Sequence, residues 1–229
     1  MKYLLLLLLL GLSLTSFSQQ QKPFEGTLVF DIAILNATAD MEVIKSVMPS
    51  GITLKIKGEN VRVSMQGGIL AGMFGDVVTH APSQKQFFRN DVTQTVTYIA
   101  DETTLKAAST DDFELIEGTD SRMILGYACK HYIVRSEVDA TTTMAFWVAP
   151  ALTMVVPKTA SNGPLVQSSL YGLQGLALRS EVDQMGIKMV VEVKSIQLES
   201  LPDELFELPK KYKIIETAPA SLDFGGNDD

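Results

Sequence analysis

The sequence predicts a mostly β protein with a few short helices, built on antiparallel sheet. Two observations predict this. Alternation of apolar and polar residues with a period of two is the dominant pattern between residues 19 and 216, and in several runs only one side is apolar. That is the pattern of antiparallel sheet with one wet face, and it argues against βαβ units and a Rossmann-like nucleotide domain. Helical spacing, by contrast, is confined to a few short segments.

The elements follow in chain order. Residues 1–18 read as a secretory signal peptide: Lys2 is the positive start, Leu4 to Leu12 form an apolar run broken only by Gly11, and Ser16-Phe17-Ser18 supplies small residues at the cut. The run is shorter than the roughly 20 residues a membrane-spanning helix needs. No cysteine lies near the cut to carry a lipid anchor, so export to the periplasm is expected. Residues 19–216 are expected to form one domain and 217–229, with Pro219, Gly225, Gly226 and acidic residues, a disordered acidic tail. Residues 19–23 are expected to be a loose arm. Leu28, Phe30, Ile32 and Ile34 alternate with polar or small residues as a strand. Residues 39–48 carry Met41, Ile44, Val47 and Met48 at helical spacing, ended by Pro49-Ser50-Gly51. Ile52, Leu54 and Ile56 and then Val61, Val63 and Met65 form a hairpin about Gly58-Glu59-Asn60. Further strands are predicted at 76–81, 85–90, 94–100, 112–117, 122–126, 129–137, 141–149, 176–183 and 187–198. A weaker helix is predicted at 164–171 and a single helical turn at Asp203-Glu204-Leu205-Phe206.

Composition excludes several functions. The formal net charge is −8, and the basic residues are scattered, so there is no electrostatic footprint for nucleic acid. One cysteine and two histidines form neither a disulfide framework nor a zinc signature. No metal or cofactor is expected. Cys129 and His131 share a strand face, which raises a nucleophile–base pair, but their Cβ atoms would stand roughly 7 Å apart. The surrounding Tyr127, Tyr132, Ile133 and Val134 favour a buried structural thiol. Acids such as Asp111, Asp112, Glu114 and Glu117 read as a solvated face, and no Gly-x-Ser-x-Gly elbow occurs. The chain is therefore expected not to be an enzyme. The segment Gly67-Gly68-Ile69-Leu70-Ala71-Gly72-Met73-Phe74-Gly75 lacks the lysine and serine of a phosphate loop. It reads either as a glycine-loosened hairpin or loop packed on the core or as a mobile apolar flap at the mouth of a cavity.

Three patches carry a family resemblance: Phe24-Glu25-Gly26-Thr27-Leu28, the stretch from Ile124 to Tyr132, and the ending from Ser200 to Lys213 with Phe206, Pro209 and Tyr212. Over roughly Phe24 to Ile215 the chain resembles the secreted bacterial domain of unknown function family 4412. It departs from that family at Lys211, where glycine is common before the tyrosine. The resemblance implies a half-barrel like that of the lipoprotein-localisation factors (Lol): a strongly curved antiparallel sheet forming an incomplete barrel, covered by short α-helices over an apolar cavity. On that basis the expected function is binding of a lipid, an acyl chain or another hydrophobic ligand. The candidate ligand-binding residues are Phe30, Ile44, Met48, Leu54, Val63, Met65, Leu70, Met73, Phe74 and Phe146. Met41 joins Ile44 and Met48 in the helical lid, and ten methionines suit an adaptable wall. The alternative is a structural or interaction module with a filled core, meeting an envelope protein partner.

Overall fold

A computed structural model describes residues 22–36, 42–98, 113–136, 143–155, 172–184 and 187–215. Among these, twelve strands form a single sheet: β1 (Gly26–Leu35), β2 (Gly51–Lys57), β3 (Asn60–Gln66), β4 (Asp76–His80), β5 (Lys85–Asn90), β6 (Thr95–Tyr98), β7 (Phe113–Ile124), β8 (Tyr127–Ser136), β9 (Thr143–Ala149), β10 (Leu176–Gln184), β11 (Ile187–Leu198) and β12 (Lys213–Ile215). Their order is β12-β6-β5-β4-β3-β2-β1-β11-β10-β9-β8-β7. Two meanders, β1–β6 and β7–β11, join through the antiparallel β1–β11 ladder, which runs from Gly26↔Leu198 to Leu35↔Lys188. The sheet is an incomplete barrel: β7 and β12 are its edges. β12 alone pairs in parallel, on β6. Two helices accompany it among the described residues, α1 (Glu42–Val47) and α2 (Gly68–Phe74).

Residues opposite one another in a ladder share a face, so the registers trace one row across eight strands: Ile196, Leu28, Leu54, Val63, Val77, Phe88, Thr97 and Ile215. This is the inner face. Leu28, Phe30, Leu54, Ile56 and Val61 are buried on it in one cluster with Ile124, Cys129, Trp147 and Leu178 from the far meander. Strands so far apart in the order share a core only because the sheet is bent. Burying each such side chain is worth about 1.5–3 kcal/mol.

β9 is covered on both sides, which is why Ala145 to Ala149 read as a continuous apolar run. Trp147 and Ala149 enter the main core, whereas Phe146 and Val148 pack with Val134, Met144, Leu173 and Ala177 in a second cluster. A third cluster lies on the outer face of β4–β6, where Leu201 and Phe206 cover Val78, Phe87 and Val96. The segment 199–212 is tied down along its length. Lys57 Nζ donates to the Leu201 carbonyl at 2.7 Å, the Leu201 amide donates to Glu25 at 3.1 Å, and Tyr212 donates to Asp91 at 2.9 Å. The segment from Glu199 to Tyr212 is thus an outer strap.

Over the described residues the predicted strands form, with four differences. The strands predicted at 112–117 and 122–126 are replaced by one strand, β7 (Phe113–Ile124), whose register shifts between Glu117 and Ser121. The hairpin turns at Leu125 and Gly126, with φ of 48° and 85°, the paired positive values that match strand twist; β8 therefore begins at Tyr127. The glycine-rich segment contains a helix rather than a loop, and β12 has no counterpart in the predicted strands. Of the predicted helix at 39–48, Glu42–Val47 forms α1 and residues 39–41 lie outside the described residues, and Asp203–Leu205 is a 3₁₀ turn. Residues 1–21, Met41, 164–171 and the tail 217–229 lie outside the described residues.

Candidate functional site

α2 is seven residues long and carries no charge (Gly-Ile-Leu-Ala-Gly-Met-Phe). A helix this short does not persist alone, so its two ends must be held from outside. At Gly68 (φ 68°) a Cβ would overlap the carbonyl oxygens of Met48 and Val47 at the end of α1, and at Gly75 (φ 70°) one would overlap the Arg89 carbonyl of β5. Glycine is required there for close backbone approach in a left-handed conformation. These glycines seat the helix; they do not loosen it.

Seated this way, α2 lies over the inner face of β5 and β6. The Phe74 ring packs 5.6 Å from that of Phe88, and Asn90 Nδ2 donates to the Gly72 carbonyl at 3.3 Å. Between helix and sheet is a cleft of about 250 Å³ lined by Met73, Phe74, Phe88, Asn90, Thr93, Thr95, Thr97 and Ile215. On the helix, Ile69 and Met73 remain 57% and 61% exposed. None of the lining side chains is ionisable. Strand alternation sends the charges of β3–β5 to the other face, where Arg62 bonds Asp76, with Nε 2.6 Å from Oδ2, and Arg89 bonds Asp91 at 2.7 Å. Burial opposes the charge on Asp91, but hydrogen bonds from Arg89 and Tyr212 and the positive charges of Arg89 and Arg62 outweigh it and hold the carboxyl below its ordinary value.

The candidate ligand-binding residues divide among these features. Met73 and Phe74 line the cleft, and Leu70 is half-buried in the same helix. Met48, half-buried, ends the segment on which Gly68 rests, while Ile44 of α1 is exposed. Met65, half-buried on β3, faces Ile52 across the ladder. Phe30 and Leu54 are 1% and 2% exposed inside the main core, and Val63 packs against its margin. Phe146 is buried in the second cluster, beyond β9. Phe88, Asn90, Thr93, Thr95, Thr97 and Ile215 are cleft residues that sequence reasoning missed. The period-two parity of Phe88 with Asn90 and of Thr95 with Thr97 was the available signal.

Cys129 and His131 are committed separately. The buried thiol points to the Tyr127 carbonyl at 3.5 Å, and burial pushes its pKa up. His131 Nδ1 lies 2.9 Å from Asp120, and the ring stacks on Trp147 at 4.6 Å. The hydrogen bond from His131 holds the Asp120 carboxyl below its ordinary range. His80 Nδ1 is 2.8 Å from the Ser83 hydroxyl. Among the described residues no group of three or more His, Cys, Asp or Glu side chains is placed to hold a metal, and no helix is long and apolar enough to cross a membrane.

Two wider concavities are chemically different. One of about 570 Å³ includes Phe24, Tyr127, Leu152 and Leu198, with Glu25 and Glu199 on its wall bonded to Leu201 and Thr27. The other, about 370 Å³, is walled by the charged side chains of Asp31, Arg179, Glu192 and Lys194, which pair as Asp31–Lys194 and Arg179–Glu192. Of the three, only the cleft under α2 is free of ionised groups.

No curated protein matches the chain in sequence. Among solved structures, PNGF-II is similar at 15% identity and a TM-score of 0.47, over 85% of this chain and 31% of that one. The chain thus spans about a third of the length of that protein. An uncharacterised conserved protein from Thermus thermophilus is similar at 9% identity and a TM-score of 0.46, over 86% of this chain and 92% of that one. Lipoprotein LppX from Mycobacterium tuberculosis is similar at 7% identity and a TM-score of 0.33, over 76% and 90% of the two chains. Residues 24–212, from the buried Phe24 to the Tyr212 that ends the strap, match the family described as a domain of unknown function (DUF4412), and the chain belongs to that family.

Proposed function

We propose that this protein is an exported, non-enzymatic binding protein of the periplasm that holds an acyl chain or another apolar ligand between α2 and the inner face of β5–β6. One observation carries this: an uncharged helix, seated at both ends, leaves Ile69 and Met73 open to solvent, and its Met73 and Phe74 face Phe88 across a charge-free cleft. Exposed apolar surface of this kind costs free energy unless something covers it. The Met73 thioether adapts to irregular ligand shapes. At about 250 Å³ the cleft lies just below the ~300–1,000 Å³ usual for sites enclosing a whole small molecule. It suits one chain laid along the helix. Export rests on the signal-like residues 1–18.

The near-complete burial of Phe30 and Leu54 favours a second reading, an envelope interaction module in which the main core is filled and Ile69 and Met73 meet a protein. Native mass spectrometry of the purified protein, before and after organic extraction, separates the two. The carrier reading expects an apolar adduct that extraction removes, added dodecane or decanol restores, and Met73→Glu abolishes. A bare protein that takes up neither probe would leave the interaction module.

A further inference from the structure

The registers beneath α2 also bear on the charge of the ligand, provided that the cleft binds apolar chains as proposed above. Two rows cross its floor: Phe88–Thr97–Ile215 and Asn90–Thr95–Lys213. They lie two residues, roughly 6.5 Å, apart along the strands. The first row is apolar at both ends, and Phe74 of α2 packs on its Phe88. The second is polar. Its Asn90 is fully engaged, with Nδ2 donating to Gly72 and Oδ1 accepting from the amides of Val92 and Thr93. Thr93 and Thr95 bond each other at 2.7 Å, which leaves one of the two hydroxyl protons able to donate elsewhere. Past Thr95 the row ends on Lys213, exposed on the edge strand β12. Its backbone amide is held by the Gln94 carbonyl, but among the described residues its ammonium has no ion-pair partner. The neighbouring Arg62 and Arg89 pair with Asp76 and Asp91, two cations against two anions, so Lys213 is the surplus charge beside the cleft.

We propose that the amphiphile held beneath α2 is anionic, with its chain along the Phe88–Thr97–Ile215 row and an oxyanion head group at the rim, against Lys213 and the Thr93–Thr95 hydroxyl pair. At an exposed rim the head group keeps much of its hydration, so it avoids the cost of burying a charge. The attraction of Lys213 is modest, as for any exposed ion pair. It sets the ligand's charge and direction, whereas the buried chain supplies most of the affinity. This preference runs against the net charge of −8, which alone would favour a cation. Charges more than about 8 Å away are largely screened at physiological salt, so the local lysine decides.

Three probes of equal chain length, each kept below its micelle concentration, test this by calorimetry on the purified protein at pH 8: decanoate, decyltrimethylammonium and decanol. Decanoate is expected to bind about three- to fivefold more tightly than decyltrimethylammonium at about 0.15 M salt, and the gap should close at about 1 M. Lys213→Glu should reverse the order of the two ions. Lys194→Glu, the same change of charge on β11, should keep it. Decanol, which carries no charge, reads chain binding in the unaltered protein and in both variants. If decyltrimethylammonium matches or exceeds decanoate, or if the order survives Lys213→Glu, the charge preference is wrong while chain binding stands. If decanol fails to bind the unaltered protein, chain binding is wrong and the charge preference falls with it.

Discussion

At the scale of single residues, burial decides what Cys129 and the glycines can do. Cys129 is the chain's one thiol, packed in the main core with its pKa raised by desolvation, so little thiolate forms near neutral pH. Ellman's reagent at pH 8 is expected to leave the folded protein unlabelled and to label one equivalent in urea. Labelling of the folded protein at the rate of a free thiol would contradict the burial. Gly68→Ala places a Cβ against two carbonyl oxygens at a positive φ and should cost about 1–3 kcal/mol. Gly72, in the same helix, faces open space, so Gly72→Ala should be neutral or stabilising by up to about 1 kcal/mol. Urea unfolding with amide exchange of α2 measures both. A buried thiol was legible from the apolar residues around Cys129. The stacking of His131 on Trp147 was not, because it depends on the β8–β9 register that brings the two opposite each other.

At the scale of elements, the outer strap makes the clearest energetic claim. Phe206 is 1% exposed beneath it, and Phe206→Ala should destabilise the protein by about 3–5 kcal/mol in denaturant titration. Asp91 links the strap to pH. Its carboxyl pKa is lower folded than unfolded, so its contribution is fully present above the unfolded value, roughly 3.9. It is lost as the pH falls through the folded value. Glu181 behaves likewise: burial opposes its charge, but hydrogen bonds from Lys188 and Arg179 prevail. Melting temperature should therefore be level from neutrality to about pH 5 and fall below about pH 4, with a shallower fall in Asp91→Asn. An equally steep fall in that variant would remove Asp91 from the account. The strands were legible because their period is two and one side is wet, and the turn at Asp203–Leu205 was legible from its sequence. β12 was not, since three residues carry no periodicity and are held by parallel pairing to β6 and by the Lys213 amide on the Gln94 carbonyl. Nor was α2 legible as a helix, because its segment is rich in glycine and its stability comes from tertiary seating at Gly68 and Gly75.

At the scale of the molecule, the inner row explains why the site lies at one side of the half-barrel. From Ile196 through Leu28, Leu54 and Val63 the row belongs to the main core or packs against it; from Phe88 through Thr97 to Ile215 it borders the cleft beneath α2. The alternation in the sequence marks Leu28, Phe30, Leu54 and Ile56 as one face, and these pack in the main core, whereas Phe146 packs in the second cluster beyond β9. Which of them would pack together, as Phe30 and Leu54 do, and which would face a cleft depended on the bend of the sheet and on where α2 docks. The most direct measurement uses the methionines: label their methyl groups with carbon-13 and titrate the protein with decanol. A saturable shift of the Met73 methyl, with Met144 in the second cluster and Met189 on β11 unmoved, is the predicted result. Saturable binding that leaves Met73 unmoved, or no saturable shift at any methionine, would contradict a ligand held beneath α2.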